Sequence, residues 1–327
     1  MSVRVLAPGL LTTLQDRGRN GYAALGVGCA GPMDEVSFRL ANALAGNDAD
    51  AAALELTLAG PRLRFEADAV VALTGAALDA RVGARLLPAW RPVAIAAGEV
   101  VALGATRRGA RAYLAVGGGF AAERVLGSAS TDLNARIGPF GGRALAAGDL
   151  LAFDAVHAPP ARRAPPWSLD PRPWFDADAA RPLRLMRGRD FDALDAASRT
   201  ALFATEFRVG VDSNRVGLRL DGTRLALAAP LERVSEPVAT GTLQLPPDGC
   251  AIALAVEHPT VGGYPQIAQI AAVDLPRLAQ RRPGAVLRFR EIDVDAAQTR
   301  YLRRERELAR LCEAIGERLG TWASASI

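Results

Sequence analysis

Two segments close the halves of this chain in the same way: Gly142-Arg143-Ala144-Leu145-Ala146-Ala147-Gly148-Asp149-Leu150-Leu151-Ala152-Phe153 and Leu278-Ala279-Gln280-Arg281-Arg282-Pro283-Gly284-Ala285-Val286-Leu287-Arg288-Phe289. Each reads as a Leu anchor, a Gly turn and a final alternating strand, an echo that favours two related β-barrels over one large sandwich. Between the halves, Pro159, Pro160, Pro165, Pro166, Pro171, Pro173 and Pro182 crowd into 157–182. That density blocks both helix and central strand, which marks a linker. The expected organisation is mostly β: a first barrel over 1–156, the linker over 157–182, a second barrel over 183–291 and a helical tail over 292–327.

Working outward, runs rich in Val, Leu and Ile recur between Gly turns at 70–73, 100–103, 112–116, 150–153, 183–186, 207–211, 216–220, 252–256 and 286–289. This is the punctuation of strands. Met33, Val36, Leu40 and Leu44 fall at i, i+3, i+7 and i+11, with Pro32 suiting the start and Gly46 the stop, so a helix is expected over 33–45. Leu308, Leu311, Cys312, Ile315 and Leu319 stripe a second helix within 296–319, which packs on the body or on a partner.

Of the 327 residues half are hydrophobic and 23% charged, with a formal net charge of +4, a composition that excludes disorder and leaves room for two cores. All 39 basic residues are Arg. Without Lys there is no Walker A loop of the G-K type, no Schiff base and no biotinyl-lysine, so ATP or biotin chemistry needs Arg or a partner. His157, His258, Cys29, Cys250 and Cys312 are too few and too scattered for a closed zinc site, and no metal ligand is assigned, although ligation through carboxylates stays open. The odd cysteine count argues for a reducing compartment. With no apolar run of signal-peptide or membrane-span length, a cytoplasmic soluble protein is expected, without nucleic-acid or membrane partners.

Three constellations carry chemistry. In Thr12-Thr13-Leu14-Gln15-Asp16-Arg17-Gly18-Arg19-Asn20-Gly21-Tyr22 an amide, a carboxylate and two guanidiniums share a Gly-bounded loop, and an Arg fork holds a carboxylate or phosphate with parallel bonds. The plainer reading is a surface loop whose Asp16 pairs with Arg17 or Arg19. Gly28-Cys29-Ala30-Gly31-Pro32-Met33-Asp34 leads into the first helix, where free N–H groups suit an anion or Asp34 serves as a cap. Glu55, alternating within Leu54-Glu55-Leu56-Thr57-Leu58, faces solvent or points into a cavity. Val256-Glu257-His258-Pro259-Thr260-Val261-Gly262-Gly263-Tyr264-Pro265 gathers a carboxylate, an imidazole, a hydroxyl and a Gly pair at a strand end, a place for acid–base work and oxyanion binding, although His258 alone reads as a turn residue. Gly117-Gly118-Gly119 lacks a following G-x-G-x-x-G helix and reads as a tight turn.

These motifs, with Ala41-Asn42, Gly46-Asn47, Gly60-Pro61, Leu126-Gly127-Ser128-Ala129-Ser130-Thr131-Asp132-Leu133, Ser213-Asn214-Arg215-Val216-Gly217-Leu218-Arg219-Leu220, Ser235-Glu236 and Gln244-Leu245-Pro246-Pro247-Asp248-Gly249, resemble in order and spacing the family of the 5-oxoprolinase C component, also called the KipA or biotin-dependent carboxyltransferase family. The resemblance implies two cyclophilin-like β-barrel domains. It implies ATP-dependent opening of 5-oxoproline to glutamate with a KipI-like B component and an A-like component of the same enzyme, ATP with Mg being shared with those partners and no biotin being attached to this chain. Asp16, Asp34, Glu257 and His258 are the candidate catalytic groups, and Gln15, Arg19, Glu55, Asn214, Arg215, Arg219, Gln244, Thr260, Gly262, Gly263 and Tyr264 the candidate substrate-binding residues. Two other classes stay open: a carboxyltransferase acting on urea or a related amide with biotin on a carrier in trans, and a KipA-like regulator that neutralises a KipI-like kinase inhibitor. The 15–19 loop lacks the extra Pro of the urea branch. Glu257, His258 and Pro259 stand where the family usually has Asp, Arg and Gln.

Overall fold

The computed structural model describes residues 1–154, 165, 167–177 and 181–324, with side chains up to 321. His157, Pro159, Pro160 and Pro166 of the expected linker lie outside the described residues. The chain divides into two compact units, Met1–Arg19 with Ala30–Asp176 and Arg306–Ile327, and Asn20–Cys29 with Ala177–Glu305.

The first unit carries β1 (Ser2–Ala7), β2 (Leu11–Gln15), β3 (Ala53–Thr57), β4 (Arg62–Phe65), β5 (Ala69–Val82), β6 (Arg85–Leu86), β7 (Pro92–Ile95), β8 (Val100–Val116), β9 (Phe120–Ala121) and β10 (Leu150–Phe153), with helix α1 (Glu35–Ala45) and a single turn α2 (Pro139–Gly142). The strands form one sheet in the order β2-β3-β8-β4-β1-β10-β9, and β5 pairs with β6, β7 and β8. The runs 100–103 and 112–116 belong to a single strand. Gly104 and Gly109, which read as breaks, instead lie inside β8, where Gly109 has φ +83° and the pairing with β5 shifts register several times. Such irregularities let a long strand coil and serve two neighbours, β3 through 111–114 and β4 through 100–102.

Alternation then sorts the side chains. Leu14, Leu54, Leu114 and Leu73 stand in one cross-strand row and join Val3, Val5, Leu63 and Phe65 in the barrel core. One residue along, Thr13, Glu55, Tyr113 and Thr74 form a polar row on the opposite face. That face is covered by α1, whose Val36, Phe38, Leu40 and Leu44 cluster with Tyr113 and Ala115. The helix begins two residues later than its apolar spacing suggests, because Asp34 (φ −115°, ψ 88°) is its N-cap, and Gly46 ends it at φ +78°. Trp167, Leu169, Trp174 and Phe175 of the Pro-rich stretch pack against the same cluster, with the Leu169 N–H donating to the Trp90 carbonyl at 2.8 Å.

The second unit carries β11 (Leu183–Arg187), helix α3 (Ala196–Ala204), β12 (Phe207–Val209), β13 (Gly217–Gly222), β14 (Glu236–Pro237), β15 (Thr242–Gln244), β16 (Ile252–Leu254), β17 (Val261–Gly262), β18 (Gln266–Ile270), helix α4 (Leu275–Ala279), β19 (Val286–Leu287) and β20 (Phe289–Glu291). Its main sheet runs β19-β12-β13-β16-β15-β18-β11-β20, with β14 and β17 forming a separate ribbon. The run 286–289 is two strands: β19 pairs with β12 at one end of the sheet and β20 pairs in parallel with β11 at the other. Because the two ends are consecutive pieces of chain, the sheet comes close to closing on itself. Helix α5 (Val294–Ser324) extends beyond the expected 296–319, and Leu308 and Ile315, on the part of it that belongs to the first unit, are buried in that unit's α1 cluster. The expected mostly β architecture of two barrel-type sheets, a few helices and a C-terminal helix is the one observed.

Candidate functional site

Asp16 directly follows β2 and is 3% exposed, so although Arg17, Asn20 and Gly21 of its loop lie at the surface, Asp16 itself does not. Nor does it pair with Arg17, which lies 3.8 Å from Glu35, or with Arg19. Its Oδ1 accepts from Ser128 Oγ at 2.5 Å, Ser130 Oγ at 2.7 Å and the Gly18 N–H at 2.9 Å, and its Oδ2 accepts from the Ala129 N–H at 2.6 Å. Arg124 adds a long contact of 3.4 Å. Burial alone would raise the Asp16 carboxyl, but the bonds from Ser128, Ala129, Ser130 and Gly18 outweigh it and hold the group below the usual carboxylate range. Beside this hub Gln15 donates to Thr13 Oγ1 at 3.0 Å and to the Thr131 carbonyl at 2.9 Å, and Arg19 donates to the carbonyls of Ser130 and Val125. Arg124 and Ala129 also line a cavity of about 460 Å³ together with Asn47, Asp48, Gly118 and Asp154.

Glu55 does not face solvent. It is 1% exposed, accepts from Tyr113 Oη and from the Met33 N–H at 2.7 Å each, and lies 3.9 Å from Arg111 Nε. Tyr113 Oη in turn accepts from the Asp34 N–H at 2.7 Å, and Asp34 takes the Ser37 N–H at 3.0 Å and Ser37 Oγ at 2.8 Å. Burial, and then the charges of Glu55 and Asp34, push the Tyr113 hydroxyl well above its ordinary range, so it stays protonated and donates. Asp34 is thus engaged as a helix cap, and the N–H groups of Met33, Asp34 and Ser37 are bonded within the chain.

In the second unit Arg215 and Glu257 are both buried and doubly joined, Arg215 Nε donating to Glu257 Oε1 at 2.5 Å and the Glu257 N–H donating to the Arg215 carbonyl at 2.8 Å. His258 follows directly, with Nδ1 2.7 Å from the Pro259 carbonyl. A carbonyl only accepts, so Nδ1 carries the hydrogen of this contact. Gln244 is 4% exposed and its Nε2 donates to the Tyr264 carbonyl at 3.4 Å. A Cβ at Gly262 would stand 2.4 Å from that Nε2, so glycine here makes room for the amide. Gly263 and the Tyr264 ring are exposed beside it, and the Thr260 carbonyl accepts from the Val238 N–H. Asn214 turns back on the Val216 N–H at 2.8 Å, and Arg219 meets Asp248 at 2.8 Å in a half-exposed pair.

A profile of the carboxyltransferase domain, subdomain A and B, matches residues 25–291. The chain belongs to this family. The C component of the 5-oxoprolinase of Escherichia coli (strain K12) is 34% identical over 302 residues, covering 90% of this chain and 93% of that protein. The urea amidolyase of Saccharomyces cerevisiae (strain ATCC 204508 / S288c) is 29% identical across 91% of this chain but only 17% of its own length. The solved structure of the K. lactis urea amidolyase superposes with a TM-score of 0.83 at 26% identity, covering 96% of this chain and 20% of that one.

For a family member tied to such enzymes, the places where this chain could hold a nucleotide phosphate are informative. The Gly118 N–H donates to Asn47 Oδ1 at 2.7 Å and the Gly119 N–H to the Val116 carbonyl at 2.9 Å, so the glycine run is the expected tight turn. At the α1 start the Asp34 carboxylate takes the Ser37 N–H, so a negative side chain already stands there. Among the described residues no three His, Cys, Asp or Glu gather around one point, and no helix is long and apolar enough to cross a membrane. Residues that reasoning from the chain alone did not nominate include Ser128, Ser130, Arg124 and Tyr113. The Ser-x-Ser pair was visible as a motif, but its carboxylate partner lies 112 and 114 positions away.

Proposed function

We propose that this chain is the C component of an ATP-dependent 5-oxoprolinase, a hydrolase that opens the 5-oxoproline lactam to L-glutamate with an A-like component and a KipI-like B component as partners. The observation that carries this reading is the likeness to the Escherichia coli protein, 34% identical over 90% of this chain, against 29% over 91% for the yeast urea amidolyase. A five-membered lactam is a resonance-stabilised amide, so opening it calls for activation of the carbonyl oxygen by phosphoryl transfer and for cations around the developing charge. In this chain those cations are arginines. ATP and its Mg belong to a site completed by the partners. In the second unit His258, with Nε2 available, moves protons and Glu257, engaged by Arg215, holds its loop, whereas in the first unit Asp16 and Asp34, whose oxygens are already engaged, hold the 16–19 loop and the start of α1.

The likeness to the K. lactis enzyme favours a second reading, carboxyl transfer to urea or a related amide from biotin on a separate carrier. Reconstituting the chain with both partners and measuring 5-oxoproline-dependent ATP hydrolysis and glutamate release decides between them. The first reading expects turnover by the complex and none by the chain alone. A complex that ignores 5-oxoproline but carboxylates urea from carboxybiotin replaces it with the second.

A further inference from the structure

Asp190 lies in the turn after β11 with its carboxylate wholly buried. Its Oδ2 accepts the Gln266 N–H at 2.8 Å, and its Oδ1 is met by Arg233, which reaches in from the largely exposed stretch between Ala228 and β14. Three residues further on, Glu236 meets Arg189, the chain neighbour of Asp190. Arg189 Nε itself stands 3.6 Å from Asp190 Oδ1. Two carboxylates and two guanidiniums therefore share one corner of the second unit, and Arg189 lies within reach of both acids.

Little else holds that stretch. Among the described residues no main-chain hydrogen bond involves 229–235: the last before it is the Ala228 N–H to the Ala193 carbonyl at 2.9 Å, and the next belong to the β14–β17 ribbon, where Glu236 pairs with Gly262 and Pro237 with Val261. A two-stranded ribbon this short is not stable by itself. The ion pairs therefore keep 229–236 in place, and there it occupies one edge of Gly262 and Gly263. A Cβ at Gly263 would stand 3.4 Å from Ser235 Oγ and 3.7 Å from the Arg233 carbonyl. Both glycines are substrate-binding candidates, and a ligand that reads their backbone along this edge has to displace the 229–236 segment first.

We infer that 229–236 is a strap that covers the Gly262–Gly263 edge and lifts by a swap of ion partners. Closed, Arg233 serves Asp190 and Arg189 serves Glu236. Open, Arg233 and Glu236 leave together, Glu236 passes into water, and Arg189 turns to Asp190. Charge is the reason for the swap: if Arg233 alone withdrew, the Asp190 carboxylate would stay in a buried place without a counterion, which is strongly unfavourable. Arg189 removes that penalty because it already stands 3.6 Å away, and the pair it gives up with Glu236 is half-exposed and contributes little. A strap with two charge-matched arrangements of its anchor is a two-state element. The device is the same for a 5-oxoproline and a urea substrate.

Hydrogen exchange of the purified full chain, in the regime where rates report the opening equilibrium, tests this on the segments 236–238 and 260–264, with β11 and β18 as the reference for global opening. The strap requires both segments to exchange ahead of that reference. Arg233→Gln should speed their exchange by about 10-fold or more, as loss of a hydrogen bond to a charged group does. Arg189→Gln decides the mechanism by the sign of its effect. If Arg189 were a plain tie, exchange would quicken, because a pair that closes the strap is lost. The swap of partners instead requires exchange slower by about 3-fold or more, because the open form loses the cation that serves Asp190. Faster or unchanged exchange in Arg189→Gln overturns the inference, and so does exchange of the two segments only together with β11 and β18. Arg189 is half-exposed, so its variant and the wild type still decide if Arg233→Gln does not fold.

Discussion

Two buried polar regions of the first unit, built on adjacent strands, differ in one respect. Under α1, the Glu55, Tyr113, Asp34 and Ser37 network is closed: the Tyr113 hydroxyl links the carboxylate to the helix start, and the Asp34 carboxylate caps the helix it precedes. Around the 15–19 loop, Asp16 is equally well served, yet Gln15 Oε1 and Arg19 Nη1 are buried without partners among the described residues. Burial of polar side chains is common to both regions and marks neither as a site. What separates them is whether the donors and acceptors match, and an unmatched charge is the rarer and more informative state. The Arg215–Glu257 pair of the second unit falls with the closed kind.

The comparison breaks first at Asp16. Asp16→Ala strands two hydroxyls and two N–H groups in a buried place, so chemical denaturation should show a loss of about 3 kcal/mol or more. A loss below about 1 kcal/mol would mean that the hub does not organise the 128–131 segment. Tyr113→Phe removes one hydroxyl that serves both Glu55 and the Asp34 N–H, and should cost about 1–3 kcal/mol in the same assay. If that variant matches the wild type, the network under α1 is not the closed one described.

The smallest effect is on the acid side of the stability profile. The folded Asp16 carboxyl sits below the ordinary value of 3.8, so the stability it contributes is complete above that value and drains away as pH falls through the lower folded one. Asp274 is displaced in the same direction, burial opposing and the bonds from Arg184 prevailing. Denaturation midpoints taken from about pH 5 down to about pH 2 should therefore fall less steeply in Asp16→Asn than in the wild type, with the Asp274 share of the slope retained. An unchanged slope would detach Asp16 from acid unfolding.

What the sequence determined alone is whatever a few neighbouring residues decide. Alternation and turn glycines placed the run 150–153 on β10 residue for residue and marked β11 and the start of β12. Helical spacing with Gly46 set the end of α1, and the absence of Lys ruled out a phosphate-binding lysine loop before any fold was known. The tertiary structure decided what depends on register between distant strands. It merged two runs into β8, split 286–289 between opposite ends of a sheet, set Glu55 opposite Tyr113 and turned Asp16 toward Ser128 and Ser130. It also left Arg19 buried with no counterion among the described residues. A short segment states which of its residues are charged, but which charges are neutralised depends on what folding brings alongside them from a hundred residues away.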